Sequence, residues 1–334
     1  MMRTLIFGIN LLALILLLLA FLVPLVTPQQ LPVLSLLSLL TLPLIGINAV
    51  FAIYWLIRWN IRFFLSSAVI ILAHIYFGPF VLGPKGDPVN TDKTVKVLSH
   101  NVHLFDKYGA TSHGGMVEEY ARLIEEYAPD VLCLQEYTED HEIDFTEYPH
   151  QYVHYNPPFK LMGQAILSRF PILQSGSLNF SHTANNVIYA DVLIQKDTVR
   201  VYNVHLQSLG INPTEKITDQ GGAQQLSDRI STTFIRQQKQ AEELLQHAAL
   251  DTSNKIIAGD FNNTAFSYIY KCLSEPYNDV FQFQGHGLGA TYHFNGLPLR
   301  IDFIFTQPEF AILDFETIQG SQSDHLPVIV SLKL

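Results

Sequence analysis

The stretch Ile256-Ile257-Ala258-Gly259-Asp260-Phe261-Asn262-Asn263 decides how this chain is read. A short apolar run with no room for a helix before its glycine predicts a buried strand, and the polar residues after it fall where that strand leaves the sheet. Asp260 and Asn262 lie two apart and point the same way if the strand geometry persists. A carboxylate and a carboxamide side by side can hold a hard cation and hydrogen-bond a phosphoryl oxygen. The plainer reading is an Asx-rich turn closing a strand. Other strands that end in the same way decide between the two.

Several do. Val95 to Val102 reads as a strand ending in polar residues, with Asn101 near its end, and Asp130 to Glu136 reads as a buried strand ending in a carboxylate. Gln164–Leu167 and Val187–Ile194 look like strands, the latter paired with Val199–Leu206, which carries His205. Leu299 to Phe305 places Asp302 inside an apolar run, and Asp324-His325 precedes the last strand. A carboxylate in an apolar strand is costly unless paired or metal-bound. Met116–Tyr127 has helical spacing, with Glu118, Glu119, Glu125 and Glu126 on its other faces, and Thr232–Leu250 is the longest soluble helix. His100 and His103 alternate with Asn101 and are expected on the opposite face. Cys133 and Cys272 read as free thiols rather than a disulfide framework.

The set SHNVHLF around Asn101, DVLCLQE ending at Glu136, GQAILSRFPI, YNVHLQS around His205, IIAGDFNN, RIDFIF around Asp302 and SDHLPV resembles the endonuclease/exonuclease/phosphatase superfamily, in the family's order. The resemblance implies a two-sheet α/β sandwich of the DNase I-like kind over residues 95–334, and metal-dependent hydrolysis of a phosphate ester by in-line attack of water. It implies Glu136 as principal Mg²⁺ ligand, with Mn²⁺ as a substitute, and Asn101 beside it. Asp260 would orient or deprotonate water, and Asn262 would hold a phosphoryl oxygen. Asp324 would complete the carboxylate cluster near the cation, Asp302 would pair with His325, and His205 and His325 would donate to the phosphoryl group. One departure stands out. The stretch Met162-Gly163-Gln164-Ala165 has no acid where family members carry a partner for the first histidine. The polar stretch Ser208–Ser231 reads either as a mobile loop over the site or as a tolerated insertion.

The amino-terminal region has a different solvent. Residues 1–83 contain no Asp or Glu and only Arg3, Arg58 and Arg62 as strong charges, so the remainder carries a formal net charge of 17 − 30 = −13. Apolar runs at about 4–26, 31–57 and 63–82 predict a membrane anchor of three transmembrane α-helices, joined to the catalytic domain by a linker at 84–94. Trp55 and Trp59 fit an interfacial belt, and the arginines set the amino terminus and second loop in the cytoplasm. The expectation is a multi-pass integral membrane protein, with its catalytic part on the periplasmic side of the inner membrane in a bacterium. An acidic domain without a Lys/Arg run argues against tight non-specific nucleic-acid binding. A lipid bilayer partner and a phospholipid or lipid-linked phosphodiester substrate are therefore favoured. A tethered endonuclease is the alternative, and an inactive membrane scaffold a third.

Overall fold

The computed structural model describes residues 2–83, 94–106, 115–210 and 220–334. The expected linker therefore lies almost wholly outside the described residues. Two compact units divide the chain. One comprises 1–81 with 216–238 and 263–272, and the other comprises 82–215, 239–262 and 273–334.

In the first unit the helices are α1 (Met2–Ala20), α2 (Leu36–Ile57) and α3 (Phe63–Phe77). The expectation of three membrane-length spans is corrected here. Among the described residues two helices are long enough, α1 and the 26-residue segment Pro32–Ile57. The 15 residues of α3 rise only about 22 Å, against about 30 Å of hydrocarbon, because Gly78 at φ +81 and Pro79 end the helix. Trp55 packs inward within this unit. It is buried and donates to Asn10 Oδ1 at 2.8 Å, while Asn10 Nδ2 donates to Ser66 Oγ at 2.9 Å. Trp59 is 96% exposed.

The second unit runs, in chain order, β1 (Thr94–Asn101), α4 (Met116–Tyr127), β2 (Val131–Tyr137), β3 (His150–His154), β4 (Gly163–Ser168), β5 (Ile172–Ser177), β6 (Asn186–Ile194) and β7 (Asp197–His205). Helix α5 (Gln220–Ala249) follows and has its last third, from Lys239, in this unit. Then come β8 (Asn254–Asp260), α6 (Tyr268–Ser274, shared between the units), β9 (Asn278–Asp279) and α7 (Val280–Gln284). The chain closes with β10 (Tyr292–Phe294), β11 (Leu297–Leu299), β12 (Asp302–Thr306), β13 (Ala311–Thr317) and β14 (Val328–Lys333). Among the described residues these make two six-stranded mixed sheets, ordered β13-β14-β1-β2-β4-β3 and β5-β6-β7-β8-β12-β9, with β10-β11 a separate hairpin. The expected loop at 208–231 is corrected in part, since residues 220–231 are helix α5 and 211–219 lie outside the described residues.

The period of two sorts the strand residues into layers. Val95, Val97, Val131, Cys133, Val199, Val201, Ile256, Ala258 and Ile304 fill one core between the sheets. Leu98, Leu132 and Leu134 face away from it, against Met116, Tyr120 and Leu123 of α4. This is the two-sheet α/β sandwich. Toward one end the interlayer turns polar. Asn203 Nδ2 donates to Leu134 O and Ala165 O at 2.8 and 2.9 Å, and Gln135 Nε2 donates to Asn203 Oδ1 at 2.7 Å. These amides tie the sheets together beneath the row of residues described next.

Candidate active site

Strand register brings the site residues to one edge of the second sheet. His205 of β7 lies opposite Asp260 of β8 in parallel pairing, and Asp260 lies opposite Asp302 of β12 in antiparallel pairing. All three continue the inward-facing rows above. Two carboxylates directly opposite each other repel. His325 relieves this by donating from Nδ1 to Asp302 Oδ2 at 3.0 Å while its Nε2 lies 3.8 Å from Asp260 Oδ2. Burial by itself would lower the basicity of His325, but the charges of Asp302 and Asp260 outweigh it and push the pKa up to about 10. Asp260 is 1% exposed, and burial raises its pKa above the ordinary carboxylate value against the pull of His325.

From the first sheet come Asn101 and Glu136. Asn101 ends β1 facing inward, and its Nδ2 donates to Asp260 Oδ2 at 3.2 Å and Glu136 Oε1 at 3.3 Å. Strict alternation after Cys133 and Gln135 would turn Glu136 toward α4. Instead a bulge between Gln135 and Tyr137, opposite Gln164 and Gly163, puts Glu136 at φ +50 and re-aims its carboxylate. His205 Nε2 is buried with no hydrogen-bond partner among the described residues, 3.7 Å from Glu136 Oε1 and 3.8 Å from Asp260 Oδ2. The acid-free stretch 162–165 thus leaves His205 facing these two carboxylates.

Asn262 reaches the site by a route other than the one expected. The strand ends at Asp260, and Asn262 takes the left-handed conformation at φ +50. Its backbone N–H donates to Asp260 Oδ1 at 2.8 Å, and its Nδ2 donates to Asp260 Oδ2 and to Leu206 O at 3.1 and 3.0 Å. The turn-closing and site-forming readings of this stretch both hold. Gly259 permits it. At φ +148, an added Cβ would stand 1.9 Å from Val204 O of the neighbouring strand. Gly259→Ala is expected to destabilise the sandwich by about 2–3 kcal/mol or prevent folding, read as a lowered urea midpoint.

Asp324 stands apart from the Asp260 cluster. Its carboxylate is 43% exposed and lies 3.8 Å from His103 Nδ1. That contact corrects the expectation for His103. Beyond β1 the chain turns through three left-handed residues, His103, Leu104 and Phe105, which bring His103 back to the site's rim, where its N–H donates to Asn101 Oδ1 at 3.1 Å. His100 does face away, and it is structural. It lies 2.8 Å from Tyr120 Oη and 3.2 Å from His325 O, and burial lowers its pKa to about 3, so it is neutral. Glu119 is also corrected. It is buried rather than on an outer face, accepting from Gln322 N at 2.7 Å, and so steadies the turn that carries Asp324 and His325. Tyr292 was not legible in the sequence. Its ring packs 4.8 Å from that of His325, where the two residues form an isolated β-bridge.

The donor set suits a hard divalent cation. Glu136, Asn101 and Asp324 offer oxygen ligands without a thiolate, and the unpartnered Nε2 of His205 beside Glu136 fits a site that awaits an anionic oxygen. Asp260, Asp302 and His325 also place ligand atoms within 4.8 Å of one another. Hydrogen bonds from Asn101, Asn262 and His325 already occupy oxygens of that cluster.

Residues 98–325 match the Endonuclease/Exonuclease/phosphatase family. The chain belongs to that family. Its members are metal-dependent phosphoric ester hydrolases, and this protein is such an enzyme. Residues 3–80 match a domain of unknown function (DUF8431). No curated protein matches the chain in sequence. Among solved structures, the endonuclease/exonuclease/phosphatase from Beutenbergia cavernae DSM 12333 aligns at 17% identity with a TM-score of 0.53, covering 72% of each chain. The family protein from Bacteroides vulgatus aligns at 15% identity and TM-score 0.53, over 73% of this chain and all of its own. D. rerio TDP2, complexed with single strand DNA product, aligns at 17% identity and TM-score 0.53, again over 73% of this chain and all of its own. At these identities the likeness is one of fold, and it supports the DNase I-like sandwich.

Proposed function

We propose that this family member is a membrane-anchored, Mg²⁺-dependent phosphodiesterase, with Mn²⁺ as a substitute, acting on a phospholipid or lipid-linked phosphodiester. The observation that carries the chemistry is the row His205, Asp260, Asp302 facing Asn101 and Glu136 across the sheet edge. Glu136, with Asn101 and Asp324, would hold the divalent cation, which would supply charge neutralisation to the phosphoryl group. Asp260 takes the proton of the attacking water, a role that its raised pKa favours. His325, kept protonated by Asp302, and His205 donate hydrogen bonds as charge builds on the phosphoryl group. Asn262, fixed by its bonds to Asp260 and Leu206, holds a phosphoryl oxygen.

The anchor reading rests on exposure. Leu5, Ile9, Leu12 and Ile15 of α1 and Val50, Ile53 and Ile57 of α2 are exposed, a continuous apolar surface that water does not tolerate and a bilayer covers. Within the helical unit, Arg62 lies 4.1 Å over Phe7 and 5.0 Å from Trp55 at one end. At the other, Gln29 N–H donates to Gln238 Oε1 and Phe77 packs on Phe266. With the arginine end in the cytoplasm, the segments around 238 and 266 are extracytoplasmic.

The second reading is a tethered endonuclease. The DNA product bound to the similarly folded D. rerio TDP2 favours it, and the formal charge of −13 beyond residue 83 opposes it. The test is hydrolysis by detergent-solubilised protein, with Mg²⁺ and then EDTA, on phosphatidylinositol or sphingomyelin vesicles and on plasmid DNA in parallel. Headgroup release that EDTA abolishes is the expected result. Plasmid nicking without headgroup release would replace the lipid reading by the nuclease. Extraction of the protein from membranes by alkaline carbonate would overturn the anchor.

A further inference from the structure

Tyr292 stands at the rim of the site on a backbone held from two sides. Thr291, just before it, is fully buried; its N–H donates to Leu299 O at 2.9 Å and its carbonyl accepts from Leu326 N at 2.7 Å. Its Oγ1 accepts from the backbone N–H groups of Ile301 and Asp302, both at 3.2 Å. These bonds tie β10 to the start of β12, which carries Asp302, and to the segment that carries His325. Tyr292 itself bridges His325 in antiparallel pairing, and the two rings lie 4.8 Å apart at an interplanar angle of 40°. The phenol is half-buried, and burial first, then the charges of Asp324, Asp260 and Glu136, raise its pKa. Glu136 comes from the first sheet, Asp260 from the second and Asp324 from the last loop, so the phenol stands beside the space that these acids surround. It is therefore protonated, and a donor, at neutral pH.

The roles assigned above leave one oxygen without a donor. His205 and His325 serve the phosphoryl oxygens and Asp260 takes the proton of water, but the departing oxygen receives an electron pair as its bond to phosphorus breaks. Asp260 lies on the floor at 1% exposure, whereas the side chain of Asp324 is 43% exposed at the rim. In-line attack that starts from the floor sends the departing oxygen toward the rim. We propose that Tyr292 is a further catalytic residue, whose hydroxyl gives its proton to the leaving oxygen of the phosphodiester. The bond from the attacking oxygen to phosphorus forms while the bond to the leaving oxygen breaks with its electron pair. The phenol proton completes the alcohol, and the phenolate regains a proton from solvent. The inference rests on the reading of Asp260 as the base. It holds for a lipid ester and a nucleic-acid ester alike, since both release an alcohol.

The experiment compares full-length wild type and Tyr292→Phe, in detergent with Mg²⁺, on two kinds of phosphodiester. One is an alkyl ester, phosphatidylinositol vesicles or plasmid DNA, whichever wild type hydrolyses. The other is bis(p-nitrophenyl) phosphate, whose p-nitrophenolate departs without needing a proton. Phenylalanine keeps the ring against His325 and removes the hydroxyl alone, and a urea midpoint near wild type shows the variant folded. On the alkyl ester kcat should fall about 10²-fold with KM little changed, and on bis(p-nitrophenyl) phosphate by less than about twofold. An equal loss on both would make Tyr292 a support for His325, and no loss on either would leave it outside the reaction; each result overturns the inference. A wild type that cleaves the aryl ester and no alkyl ester overturns it too, having no use for a proton donor. A wild type inert toward every substrate would instead bring down the hydrolase reading, and this inference with it.

Discussion

Asp260→Asn should cut phosphoester turnover by about 10²- to 10⁴-fold, the range expected for loss of a general base, with the sandwich still folded. Asp260 Oδ2 is the point on which the site converges. It accepts from Asn101 and Asn262 and lies 3.8 Å from the Nε2 atoms of both His205 and His325. An asparagine keeps the volume but places an amide among donors and removes the carboxylate assigned to take the water's proton. Two buried hydrogen bonds weaken, at about 1 kcal/mol each, while the repulsion between residues 260 and 302 disappears, so the net change in stability is small. Stopped assays of initial rate beside a urea melt separate the two effects. A melt displaced as far as the activity would make Asp260 structural and remove it from the mechanism.

Asp302→Asn should lower turnover by about 10²-fold and move the alkaline limb of the pH profile from near 10 toward neutrality. With the Asp302 charge and hydrogen bond gone, burial is opposed chiefly by Asp260 and Asp324, and the pKa of His325 falls from about 10. On the acid side, activity should fall as Asp260 takes up its proton, above the ordinary carboxylate range.

The same residues set a stability dependence with a definite sign. His325 has a folded pKa raised from 6.5 to about 10, so its contribution to stability is complete below 6.5 and is lost as pH rises toward 10. Asp260, also raised, binds its proton more readily in the folded state and acts in the same direction. In EDTA the wild-type urea midpoint should therefore decline between pH 6 and pH 9, and Asp302→Asn should flatten that decline. An equal decline in both proteins would show that the Asp302–His325 pair does not govern it.

The apolar runs were enough to place Asn101, His205 and Asp260 toward strand ends and Asp302 within a strand, because a short apolar run that breaks into polar residues is a buried strand leaving its sheet. Those four positions, their order along the chain and the sandwich class were legible in the sequence. Tertiary structure decided the rest. Glu136 faces the site only because one extra residue in β2 forms a bulge, and His103 and Asn262 return to it only through left-handed backbone. Each breaks the period from which its direction would be read. Helix length was equally illegible, since hydropathy continues to Leu82 while Gly78 and Pro79 stop α3 at Phe77. Least legible was the grip of Ser38 on Asn263, 225 residues apart. Ser38, in a run that also holds Ser35 and Thr41, carries no sign of a distant partner, since its hydroxyl reaches Ser35 O locally at 2.7 Å and Asn263 only where packing brings the two together.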